Sequence, residues 1–264
     1  MNSRTKSVFD SAKKENRAAL IGYMTAGFPE KDTCIEIVKV MADAGVDLIE
    51  IGIPYSDPVM DGPVIQRASE ISILNGFNIE SVFEIISTIS IPCYVMSYWN
   101  PIERYGQKLF IENLKSAGGV GVITPDLTIE ESEDWFEVTS RNEIDRTYVV
   151  APSSSDGRLT KVTSACSGFV YAASLMGVTG TREALSGEAT QLVKRIRTHT
   201  DSPVAVGLGV STAKQAQEIS NFADGVIVGS AFIKAVLDNH GAQNLKLVGA
   251  HTRDLAVGVR NRAE

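Results

Sequence analysis

The stretch Asp224-Gly225-Val226-Ile227-Val228-Gly229-Ser230 is a short run of β-branched residues that stops at a Gly-Ser pair. A similar ending lies upstream, where Val204-Ala205-Val206 runs into Gly207-Leu208-Gly209. Valine and isoleucine without polar alternation read as parallel strands covered on both faces. Glycines just past such strands leave backbone N–H groups open at the start of the next helix, where an anion meets peptide donors and the positive end of the helix dipole. Two such endings in succession are where phosphate-binding barrels seat their ligand.

Further strand candidates precede these two, giving 20–25, 48–53, 93–98, 120–124, 147–150, 168–172, 204–207 and 226–228 in all. Amphipathic stretches separate them. Asp32 reads as an N-cap, Ile35, Val38 and Met41 repeat at helical spacing, and Gly45 stops the helix. Residues 78–90 carry Val82, Phe83, Ile85, Ile86 and Ile89 on one broad face, and 187–200 and 212–222 read similarly. Eight βα units in 264 residues match a (β/α)8 TIM barrel with an extra N-terminal helix and a closing C-terminal helix near 245–259. A chain of this length supports one large core, so residues 1–264 read as a single barrel domain. An open doubly wound sheet is the competing architecture, but it normally opens with a glycine fingerprint after its first strand. Here the chain reads Thr25-Ala26-Gly27-Phe28-Pro29 instead.

Composition removes other classes. With 44% hydrophobic and 22% charged residues the chain is of globular type. No apolar run approaches the roughly 18 to 20 residues of a membrane span, which excludes a membrane role. The net charge is −7 with scattered lysine and arginine, so no basic face for nucleic acid is present. Residues 1–17 are polar and lack a signal-peptide core. Cys34, Cys93 and Cys166 lie far apart in apolar stretches without a CxxC pair, as packing residues in a reducing cytoplasm would.

In Asp47-Leu48-Ile49-Glu50-Ile51-Gly52-Ile53 the isoleucines share one face of the strand and Leu48, Glu50 and Gly52 the other. With the isoleucines under the helices, Glu50 points into the barrel near its mouth, where apolar surroundings raise its pKa and suit it to proton transfer. Pairing with a buried cation is the alternative, and the strand candidates contain no lysine or arginine. The loop from Pro54 to Pro63 holds three prolines and the aspartates Asp57 and Asp61. Either aspartate could stand over the pocket or cap the following helix. Met176-Gly177-Val178-Thr179-Gly180-Thr181-Arg182 is glycine-hinged and fits a lid or a plain surface loop. The histidines His199, His240 and His251 fall away from strand ends, which argues against a metal site or a Ser-His triad. Without a strand lysine, Schiff-base chemistry is also disfavoured. What remains is carboxylate acid/base catalysis on a phosphorylated substrate, and carbon–carbon cleavage under those limits needs a substrate with its own electron sink.

The run Ile49-Glu50-Ile51-Gly52-Ile53-Pro54-Tyr55-Ser56-Asp57-Pro58-Val59-Met60-Asp61-Gly62-Pro63-Val64-Ile65-Gln66 closely resembles the signature of the tryptophan synthase alpha chain family. Agreement extends to Tyr23-Met24-Thr25-Ala26-Gly27, Tyr98-Trp99-Asn100-Pro101, Pro125-Asp126-Leu127, Tyr171, Gly177-Val178-Thr179-Gly180, Gly207-Leu208-Gly209-Val210-Ser211 and the segment 224–230. The resemblance implies a barrel lyase of L-tryptophan biosynthesis that cleaves indole-3-glycerol phosphate to indole and glyceraldehyde 3-phosphate by a retro-aldol reaction. Protonated indole would be the electron sink. By position, Glu50 would be the general acid/base, and Asp61 would accept the indole N–H and stabilise the charge developing there. Tyr23 and Tyr171 would line the substrate. Gly180, Gly209, Gly229 and Ser230 would cradle the phosphate, with Leu208 beside it where some members carry phenylalanine, and Thr179 would close onto Asp61.

The likeness also implies no cofactor in this chain, pyridoxal phosphate only in a beta-chain partner, and an α2β2 assembly. The Asp57 loop and residues 100–105 would lie near that interface. Two further departures from the family pattern are Thr128, where proline is common, and Leu175-Met176, which replaces an arginine-containing start of the lid. Two other functions compete: a purely regulatory subunit, against which Glu50 and Asp61 together argue, and another phosphate-binding barrel enzyme of a neighbouring biosynthetic step.

Overall fold

The computed structural model describes residues 1–173, 182–207, 209–239 and 241–262, with the backbone alone at 182–186 and 242. The strands are β1 (Ala19–Thr25), β2 (Leu48–Gly52), β3 (Cys93–Met96), β4 (Gly121–Ile123), β5 (Asp145–Thr147, resuming at Val149–Val150), β6 (Val170–Ala173), β7 (Val204–Gly207) and β8 (Gly225–Val228). Every pairing is parallel, and β1 lies between β2 and β8. The first half of β5 pairs with β4 and the second half with β6, which closes the barrel. At the break between the halves, Tyr148 N–H donates to Cys166 Sγ at 3.5 Å instead of joining the ladder.

The helices are α1 (Ser3–Lys14), α2 (Lys31–Asp43), α3 (Pro63–Leu74), α4 (Glu80–Ser87), α5 (Trp99–Tyr105), α6 (Gln107–Ser116), α7 (Glu133–Arg141), α8 (Asp156–Ala165), α9 (Arg182–Arg197), α10 (Ala213–Ser220), α11 (Ser230–Leu237) and α12 (Ala242–Arg260). In α2 the buried residues Cys34, Ile37, Val38 and Met41 form the stripe that faces the strands. The cap of α2 corrects the sequence reading: Glu30 occupies the N-cap position without a side-chain bond, and Asp32 falls within the first turn. Gly45 ends that helical segment at φ +114°, a backbone conformation that favours glycine. The later helix α10 does have a side-chain cap, a reciprocal pair between Thr212 and Gln215.

Two apolar layers organise the core. Ile49, Ile51, Val95, Val122 and Val206 pack outward beneath the helices, whereas Leu48, Ile21, Ala205 and Ile227 fill the barrel interior. The expected N-terminal helix α1 plugs the base, where Phe9 meets Phe169 with ring centroids 5.8 Å apart. The expected C-terminal helix α12 packs against α10 and α2 and completes the outer ring. Two helices outside the simple βα count, α3 and α11, pack on each other and against β1. The fifth strand begins at Asp145 rather than 147, so Arg146 is a strand residue, contrary to the expectation of strands free of basic residues. Its guanidinium faces α7, donating to Thr139 Oγ1 at 2.8 Å and lying over the Phe136 ring. Cys34 and Cys93 are buried, Cys166 is half-buried, and all three are free thiols. Among the described residues no helix is long and apolar enough to cross a membrane.

Candidate active site

The alternation along β2 determines where its carboxylate lies. Since Ile49 and Ile51 pack outward, Glu50 shares the inward face with Leu48 and is fully buried. Among the described residues neither of its carboxyl oxygens has a hydrogen-bond partner. Arg146 points away, so the buried-cation alternative for Glu50 fails. Burial alone pushes its pKa up to about 8, because the charged form loses hydration that nothing replaces. At neutral pH the group is therefore a carboxylic acid able to give a proton.

Tyr23 on β1 lies opposite Glu50 in the sheet register, and its hydroxyl is 3.3 Å from Thr25 Oγ1. The phenol reaches over Gly52, where a Cβ would come within 2.2 Å of the hydroxyl oxygen. Tyr171 on β6 has the same relation to Gly207, at 2.6 Å. The two inward-facing glycines thus leave room for the two phenols. Burial, reinforced by the negative charges of Glu50 and Asp61, raises the pKa of both phenols, so they remain donors.

Asp61 lies in the loop after β2, half-buried, with its pKa raised by burial to about 6 against the opposing hydrogen bond from Tyr98. Tyr98 Oη donates to Asp61 Oδ2 at 3.3 Å. The capping alternative fails for both aspartates. Gly62 is the N-cap of α3 and no side chain caps it, while the side chain of the exposed Asp57 accepts from neighbouring Ser56, at 2.6 Å. A narrow cavity joins Asp61 to Tyr23, Gly52, Ile53, Ser97 and Tyr98. The wider crevices, about 530 Å³ beside α1 and about 550 Å³ beside α3, are lined by neither Asp61 nor Glu50.

On the anion side, Gly229 abuts the Tyr23 ring, and a Cβ there would lie 3.3 Å from it. Ser230 opens α11; the Phe232 and Ile233 N–H groups donate to the Gly229 carbonyl at 3.0 and 3.2 Å, so the N–H groups that face out of the helix start are those of Ser230 and Ala231. Gly209 is exposed at φ +63°. The structure therefore brings Glu50, Asp61, Tyr23, Tyr171, Gly229 and Ser230 to one end of the barrel. Thr179, Gly180, Leu208 and the departure at Leu175-Met176 lie outside the described residues. Thr128 keeps its loop ordered in place of proline, donating from Oγ1 to Glu131 Oε2 at 2.7 Å and receiving Ser132 Oγ at its carbonyl.

Sequence reasoning missed Tyr98. It was visible only as part of a matching tetrapeptide, since nothing local ties a residue after β3 to an aspartate 37 positions earlier. Asp126, noted only for its place in the pattern, accepts from Trp99 N at 2.8 Å and fixes the start of α5.

The family model described as tryptophan synthase alpha chain matches residues 9–258. The tryptophan synthase alpha chain of Streptomyces coelicolor is 52% identical over 258 residues, covering 96% of this chain and 95% of that protein. That of Nocardia farcinica is 47% identical over 262 residues, covering 98% and 97%. A structure of Mycobacterium tuberculosis tryptophan synthase superposes with a TM-score of 0.92 at 43% identity, covering 98% of this chain and 99% of that one. Tryptophan synthase subunit alpha from Legionella pneumophila gives 0.90 at 29% identity, with 99% of each chain covered. With the barrel, the two carboxylates and the glycine-framed phenols in place, these matches over nearly its whole length show that the chain belongs to the tryptophan synthase alpha chain family.

Proposed function

We propose that this chain cleaves indole-3-glycerol phosphate to indole and glyceraldehyde 3-phosphate, with Glu50 and Asp61 as the two working carboxylates. The observation that carries the reading is the fully buried, unpartnered carboxyl of Glu50, with a pKa of about 8, beside a second carboxyl at about 6. Near pH 7 the first is an acid and the second is largely ionised, so one site holds both an acid and a base because the two environments differ.

Glu50 gives its proton to C3 of the indole ring, which places positive charge on the ring nitrogen. Asp61 accepts the ring N–H and stabilises that charge electrostatically. The C–C bond to the glycerol side chain then breaks. Its electron pair flows into the ring and restores indole. The hydroxyl on the departing carbon loses its proton to the Glu50 carboxylate as the aldehyde forms, which regenerates the acid. Tyr23 and Tyr171 pack against the ring as protonated phenols. Gly209, Gly229 and Ser230 offer backbone N–H groups to the phosphate; the parts that the family resemblance gives to Thr179, Gly180 and Leu208 fall on positions outside the described residues. The reaction needs no cofactor in this chain. Pyridoxal phosphate belongs to the beta chain, with which the chain assembles as α2β2 in the cytoplasm, in keeping with its free thiols.

The test is indole release from indole-3-glycerol phosphate, with and without a beta chain, by the wild type and Glu50→Gln. The variant is expected to keep its fold and its affinity for glycerol phosphate but to release no measurable indole. Near-normal turnover would overturn the reading.

A further inference from the structure

Tyr98 meets the loop that carries Asp61 at three points. Its hydroxyl accepts the Met60 N–H at 2.9 Å and donates to Asp61 Oδ2 at 3.3 Å. A phenol that accepts once and donates once satisfies both neighbours without conflict. Its ring stacks on Tyr55, with centroids 5.2 Å apart and planes 29° from parallel. Tyr55 stands at the start of the same loop, so one buried side chain holds both of its ends.

The loop has few other anchors. Ser56 and Asp57 are exposed, Val59 is 84% exposed and Met60 48%. Its other ties include local turns, Val59 N to Asp57 O and Asp61 N to Pro58 O, the Ser56 hydroxyl on Asp57, and the Gln66 side chain on Pro58 O and Asp61 O. Tyr98, by contrast, lies two residues beyond the end of β3. The next residue, Trp99, is held by Asp126 at 2.8 Å and by an edge contact with Trp135 at 5.2 Å.

We propose that Tyr98 is a positioning residue of this site, its hydroxyl shared between Met60 N–H and the Asp61 carboxylate so that the carboxylate is held where the indole nitrogen is bound. The proposal rests on the role given to Asp61 above. The shared hydroxyl also affects titration. Donation from Tyr98 opposes the burial that lifts the Asp61 pKa, so loss of the donor raises it further. The groups facing Asp61 or Tyr98 are Tyr23 from β1, Tyr171 from β6 and Asp126 after β4, with Glu50 of β2 facing the two phenols Tyr23 and Tyr171. All are carboxyls or phenols, so among the described residues none of them supplies a replacement positive charge.

The experiment measures kcat and kcat/KM for indole release across pH 5 to 9, in the complex with a beta chain. It compares the wild type, Tyr98→Phe, Asp61→Asn and the double variant. Phenylalanine keeps the ring against Tyr55 and removes only the hydroxyl. Tyr98→Phe is expected to lower kcat by roughly tenfold, with little change in KM, and to move the acid limb upward by about one pH unit. In the Asp61→Asn background, where only residual turnover is left, the same change should lower it no further. Replacing Tyr98 with a difluorotyrosine, a stronger donor of the same shape, should move the limb downward, and it serves as the test should the phenylalanine variant fail to fold. An unmoved limb in both Tyr98 variants, with Asp61→Asn severely impaired, overturns this proposal alone. Near-normal activity of Asp61→Asn overturns the role of Asp61 itself.

Discussion

Two carboxyls are buried at opposite ends of the barrel, and they are treated in opposite ways. At the base, Asp145 is 2% exposed and accepts from Asn2 N at 2.8 and 3.0 Å and from Tyr94 Oη at 3.0 Å. Toward the mouth, Glu50 is fully buried and accepts from no group among the described residues. Tyr94 is the register neighbour of Glu50 on β3, yet its hydroxyl serves Asp145 and Thr5. A buried carboxylate is tolerated when donors replace its water. Asp145 has such donors and ties α1 to the barrel. Glu50 has none, so its environment favours the protonated form and leaves it ready to react. With Glu50 as the proposed acid, the base of the barrel would serve stability and the mouth chemistry, the division expected of this architecture.

The sharpest way to break this comparison is to remove each carboxyl and read both activity and stability. Glu50→Gln should cost on the order of 10³-fold or more in indole release without loss of stability, whereas Asp145→Ala should leave turnover per folded molecule unchanged. In a urea titration Asp145→Ala should lose about 3 kcal/mol, since the Asn2 N–H and the Tyr94 hydroxyl are left without their acceptor. An unaltered unfolding midpoint would remove Asp145 from its structural role.

The pH dependence of stability sharpens the same contrast. Glu50 has a folded pKa of about 8 against an ordinary 4.5. Between these values the folded chain holds a proton that the unfolded chain releases, so stability falls as pH rises through the window and levels off above pH 8. Glu50→Gln removes this component and should gain stability on the order of 2 kcal/mol relative to wild type between pH 5 and pH 8. Equal slopes for the two proteins would show that Glu50 is not buried as an acid. The smallest effect is expected for Tyr94→Phe, which withdraws one of the donors of Asp145 and should cost about 1 kcal/mol in the same titration.

The features legible in the sequence were those written at short range. Glu50 was assigned to the barrel interior because its neighbours Ile49 and Ile51 identify the outer face, and the structure has that alternation. The start of β5 was not legible, because Asp145-Arg146-Thr147 carries none of the apolar signature of a strand. Its polar residues are there for α1 and α7, which only the folded chain brings near. Asp61 was ambiguous for a related reason. An aspartate before a helix favours capping by local rules, and what decides otherwise is a tyrosine 37 residues away in the chain. The helices α3 and α11 likewise depend on each other and on β1, contacts that no single amphipathic pattern reveals.

By itself, the sequence determined the barrel, the face on which Glu50 lies and the family to which its motifs belong. These follow from two- and four-residue periodicities and from contiguous motifs, which are properties of neighbouring residues. Only the tertiary structure decided that Glu50 has no partner while Asp145 has several, and that Tyr98 rather than a helix terminus holds Asp61. Hydrogen-bond satisfaction and desolvation depend on groups brought together across 37 to 143 positions of chain, and the charge state of a buried carboxyl is set by those groups.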